Sequence, residues 1–249
     1  MKIRRLFLDI EVSPNIVMSW RVGHKISLTP DNIISERKII CAAWKWEGSK
    51  KVSALSWDAL QDDLFLCRKL LDVMEEADEI VAYFGDGFDI PWLRTRFLFH
   101  GFDFPDYKTV DPCAWARRKF YFNSCKLDYV AKYLGLGGKL ETGYGLWKKV
   151  VIDHDPDALT EMVKYNRQDV ALLEQVFQRL AIVCKPKSHI GVMNGLEKWT
   201  CPRDGSENVK LSKTRTTAAG TKQYQMQCND CGGYYSINES AYKKYKSKG

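Results

Sequence analysis

No run of about 18 apolar residues occurs in the sequence, so a helical membrane span is not expected. The opening MKIRRLFLDIEV sets basic residues before apolar ones. Acids interrupt it and no small-residue cleavage site follows, so no secretory signal is expected. No internal repeat is present, which sets aside solenoids and propellers. There is also little sign of a disulfide framework. Cys41, Cys67, Cys113, Cys125 and Cys184 are scattered through apolar or helical surroundings and read as free buried thiols of a reducing, cytoplasmic compartment. The first 184 residues carry no charge surplus, with 26 Lys/Arg and 26 Asp/Glu. The net +7 sits in residues 185–249, which carry twelve Lys/Arg against five Asp/Glu. A basic appendage on a neutral body points to a polyanionic partner, or more plainly to a solvated lysine-rich tail. The last residues, KKYKSKG, read as disordered.

The 249 residues suit one core domain of about 180 residues and a small appendage. IRRLFLDIEV reads as a strand, and RKIICAAWKWEG with KKVSALSW as a hairpin turning at 47–50. Helical periodicity covers 59–77, DIPWLRTRFLFHG, PCAWARRKF and KLDYVAKYLGLGG, with short strands at EIVAYF and YKTVD. Asp155-Pro156 opens a long helix over roughly 156–183. This order implies an α/β layered fold with a mixed sheet. The helix runs out at Val183–Cys184, giving a first domain of 1–184. A linker is placed at 185–198, a cysteine module at 199–240 and a basic tail at 241–249.

Asp9 and Glu11 sit two apart on the first, otherwise apolar strand, so both point to one face. Paired acids repel and lose hydration when buried. Asp89 follows a strand and a glycine-containing turn in VAYFGDGFDIPWL, where helix capping is the plain reading. Tyr165 and Asp169, in YNRQDVALLEQV, share one helix face beside apolar Met162, Leu172, Leu173 and Val176. Alone, each is ordinary: a cap, a core tyrosine, a surface acid. Together, four carboxylates on segments that fold together fit hard divalent cations, Mg²⁺ or Mn²⁺, with oxygen ligands. Two such ions about 3.5–4 Å apart would serve phosphodiester cleavage.

FLDIEVSPN, FGDGFDIPWL, FNSCKLDYVAKYLGLGGKLETG and YNRQDVALLEQV resemble the motifs of the DEDD 3′–5′ exonucleases, ribonuclease-H-like proofreading nucleases. The similarity runs over residues 3–182 and is to stand-alone, phage-type relatives of the exonuclease domain of family B DNA polymerases. Position 164 is Lys and position 165 is Tyr, which fits the tyrosine branch. The resemblance implies a five-stranded mixed sheet flanked by helices. It also implies two metal ions and hydrolysis of single-stranded DNA to nucleoside 5′-monophosphates. Asp9 would bridge both ions, Glu11 and Asp169 would hold the ion that activates water, Asp89 would serve the second ion, and Tyr165 would orient the water. A replication or recombination protein is an expected partner, and the host cytoplasm the expected location for a phage product. The chain departs from the pattern at Phe84, where relatives usually carry Asn. Phe84 reads as a core residue, with base stacking as the alternative; Trp20 in SWRVGHK reads as core or surface packing, with a face to nucleic acid as the alternative.

In the appendage, Cys228-x₂-Cys231 is a zinc-knuckle pattern. The matching half is Cys201-x₂-Asp204, so Cys201, Asp204, Cys228 and Cys231 are the candidate ligands of one structural Zn²⁺. His189 or water is the alternative fourth ligand, and a degenerate ribbon without metal the plain reading. So small a module needs a staple, which favours zinc. Lys210, Lys213, Arg215 and Lys222 suit phosphate contact, and Tyr224, Tyr234 and Tyr235 suit stacking. The leading reading is therefore a single-strand DNA 3′–5′ exonuclease with a basic zinc ribbon. RNA or branched DNA as substrate, and a silent nucleic-acid-binding protein, are the competing readings.

Overall fold

In the computed structural model, residues 3–23, 25–138, 143–184 and 188–248 are described. Lys139 to Thr142, part of the third motif above, lie outside them, as do His24 of SWRVGHK and the first three linker residues. The chain forms two compact units, Arg4–Lys185 and Pro186–Gly249, with Met1–Ile3 grouped with the second.

In the first unit, β1 (Arg5–Val12) is followed by the small strands β2 (Ile16–Val17) and β3 (Ile33–Ser35), then β4 (Ile39–Trp46) and β5 (Ser53–Ser56). Then come α1 (Leu64–Glu75), β6 (Glu79–Val81), α2 (Asp89–Phe99), β7 (Lys108–Val110), α3 (Pro112–Lys119), α4 (Leu127–Tyr133), α5 (Tyr144–Val151) and α6 (Pro156–Leu180). Five strands make one mixed sheet in the order β5-β4-β1-β6-β7. β1 runs antiparallel to β4 and parallel to β6. The expected five-stranded sheet flanked by helices is what forms.

The period-two alternation of β1 organises both faces. Leu6, Leu8 and Ile10 pack with α1 and α2 residues Leu66, Leu70, Met74, Leu93 and Phe97. Phe7 packs on the other face with Val170, Val176 and Phe177 of α6, its ring centroid 5.3 Å from that of Phe177. Each such fully buried side chain contributes roughly 1.5–3 kcal/mol. Asp9 and Glu11 share the parity of Phe7 and so face α6. A register shift between Glu11 and Val12 ends the regular pairing just past them.

Several expected boundaries move. The helix read over 59–77 starts only at Leu64, because Asp58 Oδ1 accepts the amides of Leu60 and Asp62, both at 2.8 Å, and holds that stretch as a turn. Helix α5 is additional to the elements read from the sequence. It buries Leu146, Val150 and Val151 against Ile40 and Met162. Asp155 caps α6 by accepting the amides of Asp157 and Ala158 at 2.9 and 3.2 Å, with Pro156 in the first turn.

The second unit contains α7 (Ile190–Met193), β8 (Val209–Thr216), β9 (Lys222–Cys228), β10 (Tyr234–Ile237) and α8 (Glu239–Ser247). The three strands form an antiparallel sheet in the order β10-β9-β8. Two expectations are corrected here. Residues 188–198 are not a free linker: Ile190 N–H donates to Pro202 O at 2.9 Å, and a Cβ at Gly191 would meet Thr200 Oγ1 at 2.0 Å, so glycine allows close docking. Nor is the lysine-rich end disordered. Asn238 Oδ1 caps α8 by accepting the Ala241 amide at 3.0 Å, and Ala241, Tyr242 and Tyr245 pack onto Trp199 and Met226.

Candidate functional site

Asp9, Glu11 and Asp169 each offer a carboxylate oxygen, and these lie within 4.8 Å of one another. The first two come from β1 and the third from α6, where Asp169 is buried. Cys41 stands opposite Glu11 on β4, and its thiol is pushed up by burial, then by the charges of Glu11 and Asp9. Asp89, the first residue of α2, is only 2 % exposed. It does not cap its own helix. Strand β6 pairs with β1 only as far as Phe7, and Asp89 Oδ1 accepts the Ile10 amide at 3.1 Å beyond that point. Burial, and then the charge of Asp9, raise the Asp89 carboxyl well above the usual carboxylate range; the Ile10 bond works against them. Tyr165 is buried one turn before Asp169 on α6.

Asn166 was not singled out from the sequence. It is fully buried, and its Nδ2 donates to Asp9 Oδ2 at 2.6 Å and to Asp9 O at 3.2 Å. The available signal was its spacing, three before Asp169 and hence on the same helix face. An all-oxygen donor set of this kind fits hard divalent cations such as Mg²⁺ or Mn²⁺.

Phe84 is not a core residue. It is 42 % exposed, with φ 61° and ψ 25°. Trp20, at 97 % exposed, is not packed either.

In the second unit, Cys201, Asp204, Cys228 and Cys231 bring one ligand atom each within 4.8 Å of the others. Cys201 and Cys231 sulfurs are 3.6 Å apart, and Cys228 Sγ is 3.6 Å from Asp204 Oδ2. Tetrahedral zinc with bonds of about 2.3 Å sets sulfurs about 3.8 Å apart, so the set fits zinc. The Arg203 amide points at Cys201 Sγ at 3.4 Å and the Cys231 amide at Cys228 Sγ at 3.5 Å, the donors a thiolate cluster needs. Burial raises the Cys201 and Cys231 thiols. For Asp204, burial is outweighed by hydrogen bonds from Cys201, the Ser206 amide, Cys231 and Cys228, which lower its carboxyl. His189 lies outside this set: its Nδ1 accepts the Val192 amide at 3.2 Å at the start of α7.

The basic residues divide between two faces. Lys210, Lys213 and Arg215 pair with Gln227, Gln225 and Gln223, so the register shift between Leu211 and Lys213 keeps all three on one exposed face. Lys222 shares the parity of Tyr224 and Met226 on the opposite face, exposed at the hairpin end. Of the three tyrosines expected to stack on bases, Tyr224 is stacked on Tyr242 at 3.9 Å and Tyr235 donates to Trp199 O, both within the module's core. Tyr234 is exposed.

A further group, Asp63, Cys67 and His100, is centred on a carboxylate whose oxygens are already engaged. Asp63 accepts Arg96 Nε and NH2, both at 2.7 Å, and the Ile39 amide at 2.9 Å, with His100 Nε2 at 2.7 Å. It is an internal ion pair that ties α1 and α2 to β4.

A family model described as the RNase_H superfamily matches residues 35–181, more than half of the chain. No curated protein matches it. Among solved structures, the family B DNA polymerase from the hyperthermophilic archaeon Pyrobaculum calidifontis is similar, with a TM-score of 0.55 at 20 % identity over 72 % of this chain. The likeness is one of fold, and the chain spans 25 % of the polymerase chain.

Proposed function

The chain belongs to the RNase_H superfamily, and from that premise we propose that it is a metal-dependent 3′–5′ exonuclease acting on single-stranded DNA. The observation that carries the reading is the convergence of Asp9, Glu11 and Asp169 within 4.8 Å, with buried Asp89 beside Asp9. In this reading Asp9, Glu11, Asp89 and Asp169 hold two Mg²⁺ or Mn²⁺ ions. Ions so held supply an activated water and neutralise the leaving oxygen of a phosphodiester. The residues do the rest. Asn166 fixes the Asp9 carboxylate, and the Ile10 amide fixes that of Asp89. A phenol is a poor base near neutral pH, so the Tyr165 hydroxyl orients the attacking water rather than deprotonating it. The products are nucleoside 5′-monophosphates.

The second unit serves as the grip. Cys201, Asp204, Cys228 and Cys231 hold one structural Zn²⁺. Lys210, Lys213 and Arg215 on one face, and Lys222 at the hairpin end, meet phosphates. The experiment is cleavage of single strands labelled at either end, in Mg²⁺ and in Mn²⁺. A 5′ label should persist on a descending ladder while a 3′ label appears at once as mononucleotide. Immediate release of the 5′ label reverses the polarity, and preference for RNA or branched DNA changes the substrate. Absence of cleavage by pure, folded protein rejects the nuclease.

A further inference from the structure

We infer that the groove between β5 and α6 docks an acidic, extended segment of a partner protein, which adds as a strand to the free edge of β5. Strand β5 ends the five-stranded sheet, and among the described residues no strand pairs with its outer side. The Trp57 amide donates to Ile40 O at 2.8 Å, which sets the phase of the antiparallel β4–β5 ladder. Leu55 and Ser53 share that phase and bond to β4. The amides and carbonyls of Ala54 and Ser56 therefore point the other way, to the open edge. An edge left unpaired in this way is a template for a further strand.

Beside this edge, β5 and α6 enclose a cavity of about 560 Å³. Its floor is aliphatic, made by Val52 just before β5 and by Leu159, Val163 and Ala171 of α6, all half-buried. Its rim is cationic. Lys50, Lys164 and Arg167 line it, no acid does, and none of the three forms an ion pair among the described residues. Glu174, farther along the same helix, is already used by Lys45 and the Gly48 amide. The opposite side of α6 carries Tyr165, Asn166 and Asp169, so a docked segment stays clear of the acidic cluster. Charge and shape decide the occupant. An aliphatic floor under a cationic rim suits alternating apolar and acidic side chains on a strand. No aromatic ring lines the groove, so it offers nucleobases no stacking surface. The same cations repel a second copy of this basic edge. From Leu159 to Ala171 the helix advances about 18 Å, room for about five extended residues.

The test is selection of a displayed library of random dodecapeptides on the full-length chain. Enriched peptides should combine Asp or Glu with β-branched and aromatic residues. The strongest binder, carrying fluorescein, is then followed by anisotropy. The double variant Lys164→Glu, Arg167→Glu reverses the rim and should weaken binding at least about 10-fold, because like charges then face each other. Both side chains are exposed, so the variant should keep the melting temperature of wild type. Lys164→Gln with Arg167→Gln should give an intermediate loss. A proline scan along the peptide needs no change in the protein. It should cost affinity at every second position, because only alternate amides meet the β5 edge. Failure to enrich acidic peptides, equal affinity in the charge-reversed variant, or a scan without the period of two would overturn the docking site. Displacement of the peptide by oligothymidylate that itself binds the charge-reversed variant more weakly would assign the groove to nucleic acid instead.

Discussion

Asn166 is the sharpest place to perturb the acidic cluster, because it touches Asp9 twice and is fully buried. Asn166→Leu keeps nearly the same shape and removes both donors. The bond to the Asp9 carboxylate has a charged acceptor and is worth about 1.5–3 kcal/mol; the bond to its carbonyl is worth about 0.5–1.5 kcal/mol. The ion-free protein should therefore lose about 2–4.5 kcal/mol. For a unit of this size the melting temperature should fall by roughly 4–18 °C. The functional effect is separate. With Asp9 no longer held, Mn²⁺ affinity should drop about 10- to 100-fold, the usual cost of losing an outer-shell partner. The assay is a Mn²⁺ titration followed by thermal shift on wild type, Asn166→Leu and Asn166→Asp. The Asp variant keeps the shape but adds a carboxylate, so it should be the least stable of the three without metal and should gain most from it. Equal Mn²⁺ affinity in wild type and Asn166→Leu would show that Asn166 does not orient Asp9 for metal.

Four more outcomes follow from the same geometry. Tyr165→Phe should bind metal normally and cleave about 10- to 100-fold more slowly, about 1.4–2.7 kcal/mol of barrier; an unchanged single-turnover rate reduces Tyr165 to packing. Because burial and then Asp9 raise the Asp89 carboxyl, the folded state binds that proton more tightly than the unfolded chain. Its stabilising contribution is thus full below about pH 4 and lost as pH rises through the raised folded value. Melting in EDTA should show this fall for wild type and not for Asp89→Asn, and superimposable profiles would contradict it. Arg96→Met strands the buried Asp63 carboxylate and should cost about 3–5 kcal/mol in urea unfolding; a loss under 1 kcal/mol would deny the ion pair its role. Asp204→Cys should tighten zinc in a chelator competition, since thiolate is the softer donor, and weaker retention would remove Asp204 from the ligand set.

The sheet and the acidic face were legible because both rest on short-range rules. Period two on β1 puts Asp9 and Glu11 on the side of Phe7, and period 3.6 on α6 turns Asp169 towards them. What escaped notice depends on partners far away in sequence. Asn166 looks like any helix polar residue until Asp9, 157 positions away, is placed beside it. Asp111, which the sequence did not single out, caps α3 and also holds the Phe84 amide. The left-handed turn at Phe84 has no signature in that residue, and only the flanking Gly85 and Gly87 hint at it. At the C-terminus the lysines masked an amphipathic helix, whose apolar side consists of just Ala241, Tyr242 and Tyr245. In the second unit, the Cys-x₂-Cys and Cys-x₂-Asp spacing anticipated the four-residue cluster, because a knuckle is a local structure.

The central claim is that the four carboxylates hold two ions for phosphodiester cleavage. A crystal structure of the protein in Mn²⁺, with anomalous scattering, tests it most directly. The account predicts two peaks about 3.5–4 Å apart, coordinated by Asp9, Glu11 and Asp169 with Asp89 serving the second, and loss of both peaks in Asp9→Ala. An intact fold at saturating Mn²⁺ with no peak among these carboxylates would contradict it.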